Sequence, residues 1–336
     1  MSYGTTVAKR IGLFGIMTIC IGVAAGLLVV SQSQQISYNF AAESQINTET
    51  TVEPFPIGVD PKNATITEQI VVDDFYQEHL AKADFQSHSW WSRITASLQT
   101  NTGFQMLASP VSRIIVIWPG ERTEEITENI GTVLHWDAKQ RVAFNDYMTD
   151  NTFNFDQGMI PPGQYITHHK ASPEDIMMVL EREFSDSVLD RYTPEIEETL
   201  PLADALIIAS LIEREASDFE NMREISGVIW NRLFIDMPLQ LDASLQYVKA
   251  ENPYEPNWWP AVRPADKFID SEFNTYQNKG LPPEPIANPS VEAIVAALNP
   301  IATDCVFYFH SRSRDYYCSE TYEEHRTKLQ QVYGLN

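Results

Sequence analysis

Basic residues are scarce in this chain. Twenty-three Lys plus Arg stand against 46 Asp plus Glu over 336 residues, a formal net charge of −23. Such a surface repels a phosphate backbone instead of neutralising it, so nucleic acid is excluded as a partner. Reaction motifs are missing too. His168-His169 and Asp73-Asp74 lack a metal-ligand spacing such as H-E-x-x-H, and neither a G-x-S-x-G elbow nor a G-x-x-x-x-G-K-[ST] loop occurs. Metal, serine-hydrolase and nucleotide chemistry are therefore disfavoured, and no cofactor is implied. No internal repeat is visible. What the chain does have is apolar material: 43% hydrophobic residues, with seven Trp, fourteen Tyr and sixteen Phe. That excludes disorder throughout, and the length allows two folded units or one large one with attachments.

Charge is absent altogether from Ile11 to Val30, twenty uncharged and mostly apolar residues. A helix of that length covers the hydrocarbon layer of about 30 Å, so 11–30 reads as a transmembrane helix. Lys9 and Arg10 precede it and no basic residue follows until Lys62; the positive-inside bias puts residues 1–10 in the cytoplasm and everything beyond about residue 31 outside. The competing reading, a cleaved signal peptide, has an apolar region of only about 7–15 residues and needs an A-x-A-like site. None follows Val30, and Cys20 after Ile19 lacks the small residue of a lipidation site.

Of the three cysteines, Cys20 falls in the span, which leaves Cys305 and Cys318 in an oxidising exterior where a disulfide persists. Cys305–His310 reads as a strand and Asp315–Cys318 as its return, so a symmetric hairpin sets the two cysteines opposite each other. Two reduced thiols are the alternative. A bridge across a loop of about 13 residues contributes ~3 kcal/mol in the chain-entropy picture.

Residues 31–66 are rich in Ser, Gln, Asn, Thr and Glu with Pro54, Pro56 and Pro61, and read as a solvated tether. The stretch 67–112, with a helical pattern from Ile70 to Ala83 and then Trp90, Trp91, Ile94, Leu98 and Phe104, fits no assigned module. Order is clearer beyond Arg113. Ile114–Ile117 is a β-branched run ended by Pro119-Gly120, and Ile126, Ile130 and Leu134 then recur at helix spacing. Ser172-Pro173 starts a helix through Ile176, Val179, Leu180 and Phe184. Leu202 to about Ala216 is too uniformly apolar for a surface helix and is expected at the buried centre of the second half.

At the end of that helix stands Glu213-Arg214-Glu215. Two positions differ by about 200° around the axis, so the two carboxylates cannot enter one cleft. Glu215 shares its face with Leu211 and Ile208, Glu213 with Leu206, Ala209 and Ser210; geometry alone does not choose between them, and a solvated charged turn is the plainer alternative. Apolar surroundings and a helix C-terminus both raise a carboxyl pKa toward what a general acid needs. Arg214, about 100° around, is expected to reach solvent or Glu213.

Downstream, Asp218 is placed to cap a helix through Met222, Ile225, Val228, Ile229 and Leu233, with Gly227 allowing close packing; Asp242 is placed to cap Ala243–Val248, and Ser290 another helix. The ordered blocks Ala209-Ser-Leu-Ile-Glu-Arg-Glu215-Ala216, Val228-Ile-Trp-Asn-Arg-Leu233, Met237-Pro-Leu-Gln-Leu-Asp242, Phe273-Asn-Thr-Tyr276, Gly280-Leu-Pro-Pro283, Ile286-Ala-Asn-Pro289 and Glu324-His325 resemble the MltG (YceG-like) endolytic murein transglycosylase family. That family reads A-S-I-x-E-K-E-T, V-F-x-N-R-L, M-x-L-Q-T-D, Y-N-T-Y, G-L-P-P, I-x-N-P and E-H. Upstream, Val116-Ile-Trp-Pro-Gly120 resembles its I-P-E-G turn and Gly158–Tyr165 its G-x-L-F-P-D-T-Y loop, so the likeness runs from about Arg113 to His325.

The resemblance implies Glu215 as catalytic acid, Gln240, Asp242, Asn274 and Tyr276 as sugar contacts, and Glu213, Asn231 and Asn288 as supports. The plainer roles of a helix cap for Asp242, a turn for Asn288 and a structural part for Asn231-Arg232 stay open. The family's Thr after the acid is Ala216 here, with Ser217 next, so a hydroxyl on the acid is misplaced or absent; the Thr of L-Q-T-D is Leu241. Trp258-Trp259 either stack on a pyranose or pin their Pro-rich loop. The implied fold is α+β: a membrane helix, a tether, and an extracytoplasmic mixed α/β catalytic domain with a smaller N-terminal subdomain, divided at 113–198 and 199–336. The implied activity is lytic cleavage of peptidoglycan glycan strands beside peptidoglycan synthases, in a single-pass protein of the bacterial cell membrane. A peptidoglycan hydrolase with a second carboxylate, Asp242 or Glu213, and a non-catalytic wall-binding scaffold are the alternatives.

Overall fold

Several helix starts in this protein are set by short polar side chains. Ser172 and Asp175 close a reciprocal capping box at the first turn of a helix that carries Pro173 at its first position, and Asp137 with Gln140 does the same one helix earlier. The computed structural model describes residues 52–69, 71–80, 111–150, 152–153, 155–252 and 254–334. The expected cytoplasmic 1–10, the span 11–30 with Cys20, tether residues 31–51 and the aromatic stretch from Trp90 to Phe104 lie outside the described residues. Among the described residues no helix is long and apolar enough to cross a membrane.

The order is β1 (Val59–Asp60), β2 (Thr65–Ile66), α1 (Val71–Phe75) with a π-turn over Tyr76–Leu80, β3 (Ser112–Ile117), α2 (Thr123–Val133), α3 (Ala138–Thr149), β4 (Gly163–His168), α4 (Pro173–Ser187), α5 (Pro194–Thr199), α6 (Leu202–Glu215), α7 (Phe219–Phe234), α8 (Asp242–Ala250), α9 (Val291–Leu298), β5 (Phe307–His310), β6 (Tyr316–Ser319) and α10 (Tyr322–Tyr333). Each sheet is one antiparallel pair: β1 with β2, β3 with β4, β5 with β6. This mixed α/β body carries two apolar clusters. The smaller gathers Ile115 and Ile117 of β3, Ile126 and Ile130 of α2, Phe144 of α3 and Ile176 and Leu180 of α4.

The larger cluster is built around α6. Its residues Ala205 through Ile212 are all buried, with α7, α8 and α9 packed on it. Helices apolar on every side need cover on every side, and three neighbours supply it. Gly227 lets α7 approach the 301–303 segment: a Cβ there would collide with the Ile301 carbonyl.

Three expectations are corrected. Residues 55–59 are packed against the body and 59–66 form the β1–β2 pair, not a tether. Phe55 and Val59 are 3% and 2% exposed, the Phe55 N–H donates to Arg191 O at 3.0 Å and Gly58 N–H to Leu298 O at 2.9 Å; three apolar side chains spaced by prolines make no helical period, yet suffice to fill the groove beside α9. Asp242 is not a helix cap: α8 is preceded by Leu241 and no side chain caps it. The cysteines are not cross-strand partners either, since Tyr308 pairs with Cys318 and β5 begins only at Phe307. Cys305 reaches Cys318 from the bend before the strand, with Cα atoms 5.7 Å apart in a disulfide. Asn231 holds that bend, its amide donating to Thr303 O at 2.6 Å and Cys305 O at 3.0 Å.

Candidate active site

The last turn of α6 sends three consecutive side chains into three environments. Glu213 points to the start of α9, where its Oε2 accepts from the Ser290 N–H at 2.9 Å and the Ser290 hydroxyl at 2.5 Å. Ser290 Oγ in turn accepts from the Ala293 N–H at 3.2 Å as the helix cap. The carboxylate thus sits on a helix N-terminus, committed to structure. Arg214 lies with its guanidinium 3.8 Å from the centre of the Trp259 ring, and its Nη1 donates to Gly120 O at 3.4 Å. It is partly exposed, the Pro-rich loop lays Trp259 over it, and its charge acts on Glu125, Glu213 and Glu215. Gly120 has φ +78°, and a Cβ there would sit 3.1 Å from Arg214 and 3.4 Å from Glu213 Cγ. The Trp118–Glu121 turn is therefore pressed on this side of the α6 terminus.

Glu215 faces the other way. Its Oε2 accepts from the Tyr308 hydroxyl at 3.0 Å. The Ala243 N–H at the start of α8 also donates to it, and the charges of Asp242 and Arg214 act on it. Burial is the main cause that lifts its pKa above the usual Glu value; Asp242 adds to the rise, while Tyr308, Ala243 and Arg214 oppose it. Beside it Tyr276 donates its hydroxyl to Asp242 Oδ1 at 2.7 Å. Glu215 is half-buried, and the neighbouring Gln240 and Asp242 are exposed. Gln240 has φ +51° and hands its N–H to Thr275 O at 3.0 Å, which turns the chain outward just before α8. Arg232 is nearby: Nε donates to Val306 O at 2.6 Å and Nη1 to Leu239 O, clamping the foot of β5 to the loop that carries Gln240. Its charge acts on Tyr308, Tyr276 and Glu215.

Glu121 is a further carboxyl in this neighbourhood. It is 9% exposed, accepts from Trp118 N–H at 2.9 Å and Asn129 Nδ2 at 3.1 Å, and burial pushes its pKa up to about 7. A cavity of about 550 Å³ lies elsewhere, between Pro161–Gln164, Phe184 and Pro289–Val291. It does not include Glu215, which is half-buried beside exposed Gln240 and Asp242.

The family described as YceG-like matches residues 41–331. The chain belongs to the YceG-like family. It is similar to the endolytic murein transglycosylase of Bacillus subtilis strain 168, 31% identical over 54% of this chain and 51% of the relative. It is also similar to that of Streptococcus pneumoniae D39, 27% identical over 52% of this chain and 32% of the relative. The chain thus spans about half the length of the first and a third of the second. A 2.6 Å crystal structure of a yceG-like protein from Listeria monocytogenes shares the fold, with a TM-score of 0.55 at 20% identity over 82% of this chain and 98% of that one.

Against the YceG-like motifs, the structure brings together Glu215, Asp242, Tyr276 and Gln240. Asn274 is fully buried, its amide donating to Ile269 O at 2.7 Å and Lys267 O at 3.2 Å; it shapes the loop under Tyr276 instead of facing a sugar. Asn288 is fully buried as well: its Oδ1 accepts from Gly158 and Ile160 N–H, both at 2.9 Å, and its Nδ2 donates to Glu121 O at 3.1 Å. Its amide ties the G-x-x-P-P loop to the W-P-G turn. Trp259 is committed to Arg214, and the Trp258 ring centre lies 6.0 Å from the Arg122 guanidinium, so this pair pins its loop. His325 packs on Phe307 and Phe309. Ser217 does not stand in for the family's missing Thr, since its hydroxyl goes to Asp218 Oδ2 at 2.9 Å. The hydroxyl on Glu215 comes instead from Tyr308, which sequence reasoning missed. A signal existed: along β5 the side chains alternate, and with Phe307 and Phe309 facing α10, Tyr308 must face the body.

Proposed function

We propose that this chain is a lytic transglycosylase that cuts peptidoglycan glycan strands internally, with Glu215 as its single acid and base. The observation that carries the reading is the Glu215 carboxyl: half-buried, with its proton affinity raised by burial, and open toward exposed Gln240 and Asp242, while Glu213 is committed to the α9 terminus. Protonated Glu215 gives its proton to the oxygen between N-acetylmuramic acid and N-acetylglucosamine, and the C1–O bond breaks with its electron pair on that oxygen. The C6 hydroxyl oxygen then bonds to C1 of the same muramic residue and returns its proton to Glu215, closing a 1,6-anhydro ring without water. Gln240, Asp242 and Tyr276 would line the sugar path. The same reading places 11–30 in the bacterial cell membrane with the N-terminus cytoplasmic and the body outside, releasing nascent strands beside the synthases that polymerise them.

One observation favours a second reading. Asp242 is close enough for its charge to act on Glu215, and a second carboxylate is what a hydrolase needs. Product analysis separates the two. Sacculi digested with the full chain should yield anhydro-muramic ends by mass spectrometry; reducing muramic ends would establish hydrolysis instead. For the topology, a reporter fused after Asn336 should be active only outside the cytoplasm, and activity inside it would overturn the membrane assignment together with the substrate.

A further inference from the structure

We infer that Tyr308 is a positioning residue for Glu215: its hydroxyl, presented by a hairpin that the Cys305–Cys318 bridge fastens, holds one carboxyl oxygen as an acceptor and leaves the other to carry the proton that is transferred. The inference rests on the transglycosylase reading for its meaning, not for its geometry. Tyr308 Oη is 3.0 Å from Glu215 Oε2, and its cross-strand partner in the hairpin is Cys318 itself. Three anchors converge on the strand that carries it. The disulfide closes the hairpin's open end, Arg232 grips Val306 O, and the Tyr316 ring lies alongside with centres 6.0 Å apart. Burial, with the charge of Glu215 beside it, keeps the phenol protonated far above neutral pH, so it acts only as a donor or acceptor of a hydrogen bond and never as a competing acid. A donor fixed on Oε2 favours the acid's proton on Oε1.

Charged and titratable groups face Glu215 from every element around it: Tyr308 from β5, Asp242 from the start of α8, Arg214 from α6, Arg232 from α7 and, through Asp242, Tyr276 from the 273–276 loop. Of these, Tyr308 is the side chain hydrogen-bonded to the carboxylate among the described residues. Its donation favours the charged form, so its removal must raise the carboxyl's affinity for a proton.

The test is Tyr308→Phe in the full chain, which keeps the ring and removes the hydroxyl. Anhydro-product formation should fall about tenfold in kcat with KM little changed, and the alkaline limb of the pH–rate profile should move to higher pH. A fall in rate with an unmoved limb would mean that Tyr308 only supports the fold, and an unchanged rate would mean that it does nothing; either overturns the inference. The paired Cys305→Ser/Cys318→Ser variant should move the limb in the same direction, and an unmoved limb there would remove the bridge from the device. Should the wild-type chain release no anhydro product, the transglycosylase reading fails on its own. Carboxyl 13C titration of the solubilised chain, with Glu215→Gln as the assignment, then decides: Glu215 titrating at higher pH in Tyr308→Phe than in wild type upholds the hold, and equal titration overturns it.

Discussion

Glu213 and Glu215 are two residues apart on one helix, both raised in pKa chiefly by burial, and their surroundings assign them opposite work. Glu213 is held by two donors of one residue, Ser290, at the N-terminus of α9. Glu215 meets a phenol, a backbone N–H and a neighbouring carboxylate, and looks onto exposed polar groups. A raised pKa therefore does not mark the acid by itself. What separates the two is where the hydrogen bonds go and whether a substrate can arrive.

The widest gap between them should appear in activity. Glu215→Gln keeps the shape and accepts Tyr308 as before but cannot donate and recover a proton, so anhydro-product formation should drop by roughly 10²–10⁴-fold with the thermal midpoint nearly unchanged. Glu213→Gln should keep most activity. A swap of these two phenotypes, read from digested sacculi, would put the catalytic register on the wrong carboxylate.

Stability should show the converse. Glu213→Ala strands the buried Ser290 N–H and hydroxyl and loosens the contact between α6 and α9, for which a loss of about 2–3 kcal/mol is expected in denaturant unfolding. Glu215→Ala, whose side-chain donor Tyr308 is less buried than Ser290, should cost less. Equal losses would erase the structural half of the contrast.

Much of this contrast was legible in the sequence and some was not. The 200° rule kept the two carboxylates apart, and Ser290 was recognisable as a cap, so Glu213's partner was one step away. The choice of Glu215 came only from its motif, because a helical wheel knows its own faces and not what packs on them. Tyr308 lies 93 residues further on, and only the alternation of β5 hinted at its direction. Asn274 was misread for a related reason: a polar side chain in a loop motif can serve the loop's own carbonyls as readily as a ligand. The packing of Phe55 and Val59 was hidden by a polar, Pro-rich context with no period to read.

Glu121 offers the finest test, because it is buried and raised in pKa as the other two are, yet stands in neither role. Its folded-state pKa of about 7 exceeds the ordinary Glu value of 4.5, so between those pH values the folded chain keeps a proton that the unfolded chain has lost. Stability from this group is then fully present below pH 4.5, declines as pH rises from 4.5 to about 7, and is flat beyond. The decline is at most about 1.4 kcal/mol per pH unit, since one pKa unit corresponds to that difference between protonation states. Glu121→Gln removes the titration, so unfolding curves of wild type and variant taken across this window should converge or cross as pH rises, while product formation stays close to wild type. A constant offset between the two curves would mean that Glu121 is already ionised in the fold. Loss of anhydro product in Glu121→Gln would mean that access, the property that separates Glu215 from its neighbours here, had been assigned to the wrong carboxyl.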